Sequence, residues 1–508
     1  MSGRTVKSSK SIITGIANKF ILLVLAFVSR KIFIHYIGVE YLGINSLFSD
    51  VLNLLSMADL GFGIAIAYSY YEPLAKGDHE KLSALTGFYK RIYNIIALAV
   101  ALIGLFMIPF LKYIVNMEQE IPHLYIYYVI ILSNTVLSYL FVYKSTIITA
   151  DQKGYLINRI NIYINVIRTV LQCIALVLFE SYLVYIILQS VGTLLNNFVI
   201  SFIADKQYPF LKNKNYLAAE EKRNIIENMK SVFLYKVAAS LMGGTDSLIM
   251  SKICGTVIVG LYSNYLTITM QLTSVVQIVF QSLTASVGNL LLQKDTENSY
   301  IVFKQMQMIS HWMSATISVC VLTLVQDFIV LWLGEEYLMS MTMVWAIAAN
   351  LYFSIAMQPI WSFREASGLY NKTKYVMLCT VVVNIALSVF LGIQMGAPGV
   401  ILASVIARLT TYFWYEPALI FKLYFQKKSS GYYFDFLVSC CLIVISYFVI
   451  NVVSYYFRLT SLSILNWFIK AIISIFVIFS FYLLRYHKKN EFRELRNKVI
   501  RVIKMVGD

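Results

Sequence analysis

The chain has few charged residues for its length, and this shortage excludes a water-soluble protein. Only 13% of its 508 residues are Asp, Glu, Lys or Arg, whereas a soluble domain carries about 25%. Hydrophobic residues make up 59% of the chain, and long apolar runs recur from end to end. A run of about 18 residues or more is long enough to cross a bilayer core of roughly 30 Å as a helix. The composition therefore predicts an all-α, polytopic membrane protein.

Several motifs that carry chemistry are also missing. There is no G-x-x-x-x-G-K-[ST] loop, which argues against ATP hydrolysis by that route. The five histidines are scattered, no H-E-x-x-H pattern occurs, and the six cysteines show no C-x-x-C spacing. Such cysteines, in or beside apolar runs, are typical of buried thiols. The predicted outer loops are short and carry no D-x-D pair. We therefore expect no enzyme, no metal and no cofactor, with coupling to Na⁺ or H⁺ left open.

Fourteen transmembrane helices are predicted from the apolar runs, which are continuous and lack the short alternating strands of a barrel. Placing the N-terminus in the cytoplasm puts 24 Lys and Arg residues in the even-numbered loops and the two tails, against two, Lys112 and Arg458, in the odd-numbered loops. This asymmetry predicts that both termini lie in the cytoplasm. The net charge of +16 thus reflects topology, and no nucleic-acid partner is expected. The spans are 12–35, 42–71, 85–111, 122–149, 157–179, 183–205, 231–252, 259–292, 301–333, 342–368, 375–393, 399–425, 432–456 and 463–485.

A short repeat indicates how the spans are organised. IGVEYLGINS at 37–46 is echoed by CGTVIVGLYS at 254–263, and the same offset along the chain carries Lys19 onto Lys236. Six helices separate the copies, so both have the same orientation in the membrane, as in parallel repeats with a substrate path between the halves. The predicted domains are an N-terminal lobe (1–205, spans one to six), a cytoplasmic linker with an interfacial helix (206–230), a C-terminal lobe (231–425, spans seven to twelve), two further spans (426–485) and a basic amphipathic cytoplasmic tail (486–508).

Polar side chains form stripes along several spans, which lipid-facing helices do not need. Span five has polar residues at i, i+4, i+7 and i+11, on one helical face. Such stripes either line a water-filled cavity or hold helices together by hydrogen bonds worth about 0.6 kcal/mol each, and their number favours the cavity. The candidate cavity residues are Asn45, Asn53, Asn161, Asn165, Gln172, Asn264, Gln271 and Gln281, with Asn350 and Ser354 on span ten.

Basic side chains inside the spans are the sharper signal. An Arg or Lys at the bilayer centre costs about 2.5–3.5 kcal/mol, so it normally faces water or a partner. Ion pairing or snorkelling accounts for Lys31, Lys144 and Lys470. The candidate cations for binding a phosphorylated substrate are Lys19, Arg30, Arg168, Lys236, Arg364 and Arg408. The acids Asp50, Asp59 and Asp246 are candidates for coupling to an ion.

The N-terminal hundred residues contain the SKS start and the segments SRKIFIHYIGVEYLGINSLFSD, LLSMADLGFGIAIAYSYYEP and KLSALTGFYKRIYN. These segments, and the hydropathy layout of the whole chain, resemble the Wzx-type polysaccharide flippases of the multidrug/oligosaccharidyl-lipid/polysaccharide (MOP) exporter superfamily. The resemblance implies a protein of the bacterial cytoplasmic membrane. It implies a MATE-like two-lobed bundle of six, six and two helices. It also implies that the last two helices help form a groove for a lipid tail.

The resemblance implies transport of an undecaprenyl-pyrophosphate-linked oligosaccharide to the outer leaflet by alternating access, for surface polysaccharide or capsule synthesis. The cations would meet the pyrophosphate and the polar stripes the sugars. The implied partners are the lipid-linked glycan, membrane lipids, and the glycosyltransferases and polymerase of the same pathway. A cation-coupled multidrug exporter of the same superfamily and a membrane glycan polymerase or transferase are the alternatives.

Overall fold

The computed structural model describes residues 23–55, 69–70, 72–74, 76–116, 121–151, 153–213, 215–293, 295–457, 463–494 and 496–497. Within these ranges the chain forms helices joined by short connections, and it contains no β-strand. The predicted all-α class is therefore confirmed.

Fourteen long helices follow one another along the described residues, each coinciding with one predicted span. Ten of them are long and apolar enough to cross a membrane, so the chain is a multi-pass membrane protein. Segments joined without a loop are counted as one helix. The helices are α1 (23–37), α2 (Val39–Leu55), α3 (His79–Ile114), α4 (Leu124–Val142, followed by a short helix Ser145–Ala150), α5 (Gly154–Phe179), α6 (Tyr182–Gln207), α7 (Ala219–Cys254), α8 (Thr256–Leu292), α9 (Thr296–Trp332), α10 (Met341–Ala366), α11 (Tyr370–Met395), α12 (Ala397–Phe425), α13 (Ser430–Tyr456) and α14 (Ile464–Tyr486).

Two glycines of the sequence repeat occupy equivalent positions in the structure. Gly38 separates α1 from α2 with φ +95°, and Gly255 separates α7 from α8 with φ +92°. Residues other than glycine rarely adopt such a positive φ. Each glycine therefore lets one helix end and the next begin after a single residue, and the two copies of the repeat make the same turn.

The chain divides into two compact units, Met1–Gly260 and Leu261–Asp508. In the first unit α3 packs on α4, α4 on α6, and α5 on α6, while α2 packs on α7. Close approach of α3 and α4 depends on Gly104, because a Cβ there would lie 2.4 Å from a methyl of Leu132. The Gly104 carbonyl also accepts a hydrogen bond from the Tyr128 hydroxyl (3.1 Å).

The second unit is built around α9, which packs on α10, α13 and α14. Pro359 lacks an N–H and interrupts α10, which leaves the carbonyl four residues earlier, at Ile355, without its helical donor. Ser310 of α9 donates its hydroxyl to that oxygen at 2.6 Å. Two turns further along α9, Ser318 donates to the Ala348 carbonyl at 3.2 Å. Small hydroxyl side chains thus join α9 to α10, as is common between membrane helices.

The segment before span seven differs from the prediction. The sequence predicts a separate interfacial helix within 206–230, whereas the structure has one continuous helix of 36 residues, Ala219–Cys254. No glycine or proline occurs from 219 to 242, and strong helix formers such as Ala, Glu and Lys dominate its start, so propensity carries the helix through. The predicted tail helix at 486–508 lies largely outside the described residues. Its beginning contacts α9, because Gln305 donates to the Glu494 carboxylate at 2.9 Å.

Candidate functional site

Two of the predicted cations lie beside one tyrosine in the first unit. Arg30, midway along the described part of α1, and Arg168, in the middle of α5, both lie close enough to Tyr185 of α6 to interact with it electrostatically. The Tyr185 ring packs edge-on against Phe33 with their centroids 4.9 Å apart. Sequence analysis identified the two arginines but missed the tyrosine, since aromatic residues are abundant in all spans. The geometry gives two guanidinium groups at one place inside the helical bundle.

Space for Arg168 is provided by a glycine on the facing helix. A Cβ added to Gly192 would lie 2.5 Å from Arg168 Cδ, so only glycine allows the arginine side chain to lie across α6. The Arg168 Nε atom is buried and has no hydrogen-bond partner among the residues that the structure describes. A buried donor without a partner is rare in proteins and calls for an explanation such as an absent ligand or water.

The polar stripe predicted on α5 faces α6. Asn196 donates to Asn161 Oδ1 at 2.8 Å, and Gln172 donates to the Tyr185 carbonyl at 3.1 Å. Arg168 lies between these two contacts along α5. Asn165, also on the stripe, is half-buried. The predicted residues are thus brought onto one helix–helix seam, where hydrogen bonds between helices and a lining of polar groups occur together.

Polar residues of α2 face in different directions. Asn45 accepts a hydrogen bond from the Tyr182 hydroxyl (3.2 Å), and Asn53 is exposed. Asp50 accepts a hydrogen bond from Ser247 of α7. The neighbouring Asp246 is buried within α7. Two carboxylates therefore lie close to the contact between α2 and α7.

In the second unit Arg408 of α12 contacts polar residues predicted on span ten. It donates to Asn350 Oδ1 at 2.7 Å and to Ser354 Oγ at 3.1 Å. Its guanidinium carbon lies 5.9 Å from the centre of the Phe353 ring. Among the described residues, the hydrogen bonds of Arg408 go to neutral groups. Its positive charge is consequently held in place, and no carboxylate within the described part of the chain neutralises it.

Arg364 departs from the expectation that it is a cation available to a substrate. It forms a two-fold contact with Glu416 of α12, at 3.0 and 3.1 Å, and a longer one of 3.7 Å with Glu365. Arg364 is 4% exposed and Glu416 is 1% exposed. Because two carboxylates balance this guanidinium inside the second unit, we remove Arg364 from the candidate cations. Glu416 was missed, although a carboxylate just before a proline within an apolar run was a usable signal.

Ion pairs account for the other basic residues of this kind. The predicted pairing of Lys144 and Lys470 is confirmed by their contacts with Asp205 (2.6 Å) and Asp327 (2.8 Å). Lys31 is exposed. Asp435, which the sequence analysis did not identify, pairs with Lys304 at 2.8 Å and Arg485 at 2.9 Å. Arg408, which donates to Asn350 and Ser354, is therefore distinct from these balanced pairs.

The remaining predicted residues are dispersed or outside the described part. Asn264 is fully buried, Gln271 is half-buried and Gln281 is exposed, all along α8. Lys19 and Asp59 lie outside the described residues, and so does the side chain of Lys236. Their predicted roles stay predictions.

Comparison with solved structures identifies the fold. The lipid II flippase MurJ in an inward closed conformation matches with a TM-score of 0.68 and 16% identity, over 94% of this chain and 99% of MurJ. An inward-facing MATE family multidrug resistance transporter of the MOP superfamily matches with a TM-score of 0.61 and 12% identity, over 77% of this chain and 93% of the transporter. The chain has the fold of the MOP superfamily.

A third MOP-type structure gives the same result. An Asp-to-Asn variant of the Vibrio cholerae MATE transporter VcmN matches with a TM-score of 0.54 and 14% identity, over 83% of this chain and 99% of VcmN. No family model and no curated protein sequence matches the chain. The resemblance to MOP flippases seen in the sequence is therefore confirmed at the level of the fold, and these structural neighbours are transporters and flippases.

Proposed function

We propose that this MOP-fold chain is a flippase for undecaprenyl-pyrophosphate-linked oligosaccharide repeat units in the bacterial cytoplasmic membrane. The observation that carries the proposal is the extent of the match to MurJ, which covers 94% of this chain. Helices α13 and α14 have 27 and 23 residues. Together they are longer than the part of this chain that the MurJ match leaves uncovered. Part of this helix pair must therefore belong to the match. The two MATE matches cover only 77% and 83% of the chain, so what they leave uncovered is long enough to include both helices.

The state of the arginines supports an anionic substrate. Arg168 retains a buried Nε without a partner, and Arg408 is held by two neutral oxygens. A guanidinium that no carboxylate neutralises can bind a phosphate with two parallel hydrogen bonds. Each hydrogen bond to a charged group contributes about 1.5–3 kcal/mol. We propose Arg30, Arg168 and Arg408, each considered within its own unit, as cations that can bind a phosphate group of the substrate.

The test is a reconstituted transport assay. The purified protein is placed in liposomes with a dye-labelled, lipid-pyrophosphate-linked oligosaccharide, and dithionite reports the dye fraction in the outer leaflet. We expect the protein to move the glycan without changing its mass, which also tests the polymerase alternative. Arg168→Gln and Arg408→Gln should each slow transport by about 10- to 100-fold, the equivalent of one charged hydrogen bond.

Arg159→Gln is the matched control, because Arg159 lies on the same helix as Arg168 and is exposed. It should transport at the wild-type rate. Movement no faster than in protein-free liposomes would rule out the proposed activity, and full transport by both Arg168→Gln and Arg408→Gln would remove the role assigned to these arginines.

A cation-coupled multidrug exporter is the second candidate. Asp50 and the buried Asp246 lie near the contact between α2 and α7, and a buried carboxylate is what a coupling ion needs. In the same liposomes, this alternative predicts uptake of a cationic dye driven by a Na⁺ or H⁺ gradient. Asp50→Asn and Asp246→Asn should abolish that uptake. No gradient-driven dye movement would eliminate the exporter.

A further inference from the structure

A polar cavity of about 200 Å³ lies within the first unit, where α4, α5 and α6 meet. It is partly open to the outside. Its polar lining consists of Ser145, Asn161, Asn196 and Asn197, and Phe141 and Ile157 contribute apolar walls. Nothing in the proposed mechanism uses Asn196, Asn197 or Ser145. The lining contains amides and a hydroxyl but no charged side chain, so the cavity is suited to a neutral ligand.

Hydrogen bonding inside the cavity is incomplete. Asn196 donates one N–H to Asn161 Oδ1 at 2.8 Å. Asn196 Oδ1 is buried and has no hydrogen-bond partner in the described ranges of the chain. A buried acceptor without a donor is costly and points to a missing group. The Ser145 hydroxyl donates to the Val142 carbonyl at 2.7 Å, which leaves its oxygen able to accept. Carboxamides both donate and accept, so these groups match a ligand whose own polar groups do the same. Hydroxyl groups have that property.

The volume of the cavity further limits the kind of ligand that it can hold. An apolar cavity of about 150 Å³ accepts benzene, a single six-membered ring. The cavity here is somewhat larger and therefore has room for a six-membered ring with substituents. Such a ring would match the lining if it turned a polar edge toward the amides and a C–H face toward Phe141.

We propose that this cavity binds one neutral sugar ring. The hydroxyls of the ring donate to Asn196 Oδ1 and accept from the amides and from Ser145, while its C–H face packs on Phe141. The inference rests on the proposed function in one respect, namely that the sugar belongs to the lipid-linked cargo. The cavity lies on the same α5–α6 seam as Arg168, seven residues from Asn161, or about 10 Å along the helix.

Binding is tested on the full-length protein in nanodiscs by saturation-transfer NMR. The probes are methyl glucoside and methyl N-acetylglucosaminide, with glycerol and inorganic phosphate as comparators. We expect transfer to the ring protons of at least one glycoside and none to glycerol or phosphate. Asn196→Leu and Asn161→Leu should each weaken binding by about fivefold, the equivalent of one neutral hydrogen bond. Asn158→Leu, at an exposed position one turn away on α5, should bind as the wild type does.

The variant Ser145→Leu tests the cavity without removing a hydrogen bond between the helices, so that a loss of binding does not result from misfolding. It fills the cavity while leaving the Asn161–Asn196 hydrogen bond intact, and Ser133→Leu, at an exposed position on α4, is its matched control. Loss of glycoside binding in Ser145→Leu alone supports the cavity as the binding place. Absence of transfer to either glycoside in the wild type, or equal transfer in Ser145→Leu and Ser133→Leu, overturns the proposal.

The same variants distinguish this inference from the proposed function. Glycoside binding without any flipping of the lipid-linked glycan would leave the sugar site standing and remove the flippase. Absence of glycoside binding, together with flipping that is unaffected by Ser145→Leu, would remove the sugar site and leave the flippase standing. To identify the source of the sugar, nanodiscs are prepared with a neutral glucosyl diacylglycerol or with the lipid-linked glycan. Competition by the glycan alone supports the cargo, whereas competition by the glycolipid alone identifies a membrane lipid and contradicts the assignment to the cargo.

Discussion

Gly43 and Gly260 lie against each other where α2 meets the first turn of α8. A Cβ on Gly43 would lie 2.3 Å from the carbonyl oxygen of Thr256, and a Cβ on Gly260 would lie 2.5 Å from the carbonyl oxygen of Val39. Val39 and Thr256 are separated along the chain by the same offset as Gly43 and Gly260, which is the offset of the repeat. Adding the offset to Val39 and Gly43 therefore gives Thr256 and Gly260, so the two sides of the contact are equivalent positions of the repeat. Contacts that exchange in this way are characteristic of two-fold symmetry, and the weak sequence echo thus has a structural counterpart.

Replacing either glycine by alanine should destabilise the protein. The added methyl meets backbone atoms, which cannot rotate away as a side chain can, and overpacking of this kind costs about 1–3 kcal/mol. Thermal unfolding in detergent should show a lower melting temperature for Gly43→Ala and Gly260→Ala. The control is Gly243→Ala in α7, where a Cβ would have no neighbour within 4 Å. Helix propensity predicts an unchanged or higher melting temperature for that control. A wild-type melting temperature for Gly43→Ala would show that the helices can separate at no cost.

The helices could be predicted from the sequence because a bilayer fixes both their length and their apolar character. Within the described residues, all fourteen predicted spans fall on helices. Hydropathy could not predict which hydrogen-bond partners the polar groups inside the spans have. The interruption of α10 at Pro359 is tolerated because Ser310 of another helix bonds the freed Ile355 carbonyl, and that pairing depends on tertiary packing alone.

In the candidate site, too, the sequence predicts which residues are unusual, and the structure is needed to find their contacts. Arg408, Asn350 and Ser354 were each recognised as polar residues in apolar spans, but their mutual hydrogen bonds required the packing of α10 against α12. Arg364 lies near the end of its predicted span, beside Glu365, but its position alone does not identify Glu416 as its partner. Its pairing with Glu416, 52 residues later, decides its role.

The position of Arg168 should depend on Gly192. A methyl group on Gly192 would lie 2.5 Å from Arg168 Cδ, so Gly192→Ala should push the flexible arginine side chain aside while leaving the fold intact. We expect flipping of the lipid-linked glycan to slow by less than it does in Arg168→Gln, with little change in melting temperature. In a double-mutant cycle, Gly192→Ala should add nothing to Arg168→Gln, because contacting residues couple. Additive losses would mean that Gly192 acts independently of the arginine.

Acid should weaken the contact between Asp151, in the turn that precedes α5, and Tyr208, at the end of α6. Burial works to raise the pKa of Asp151, but the hydrogen bonds from Lys153 and Tyr208 outweigh it, so the pKa lies below its usual value. The Tyr208 hydroxyl donates at 2.6 Å. A lowered pKa gives stabilisation that is complete above the unfolded value of about 3.9 and is lost as the pH falls through the folded value.

Melting temperatures measured from pH 6 to pH 3 should therefore fall less steeply for Asp151→Asn than for the wild type. Asp78→Asn tests a carboxylate that caps α3, where Asp78 accepts from the Lys81 N–H, and it should leave the contribution of Asp151 unchanged. Parallel curves for the wild type and Asp151→Asn would contradict this account.

The buried pair of Arg364 and Glu416 gives the strongest test of which cations serve the substrate. Removing one partner leaves an uncompensated charge inside the protein and costs about 3–5 kcal/mol, whereas replacing both by apolar residues of similar volume is often neutral or stabilising. Glu416→Gln should therefore lower the melting temperature strongly, and Arg364→Met combined with Glu416→Leu should restore most of it. The exposed pair of Lys76 and Glu72 is the control, and Glu72→Gln should have no measurable effect. The double variant should also flip the lipid-linked glycan at close to the wild-type rate, because a guanidinium already balanced by carboxylates has little attraction left for a pyrophosphate. A stable double variant that no longer transports would return Arg364 to the set of substrate-binding cations.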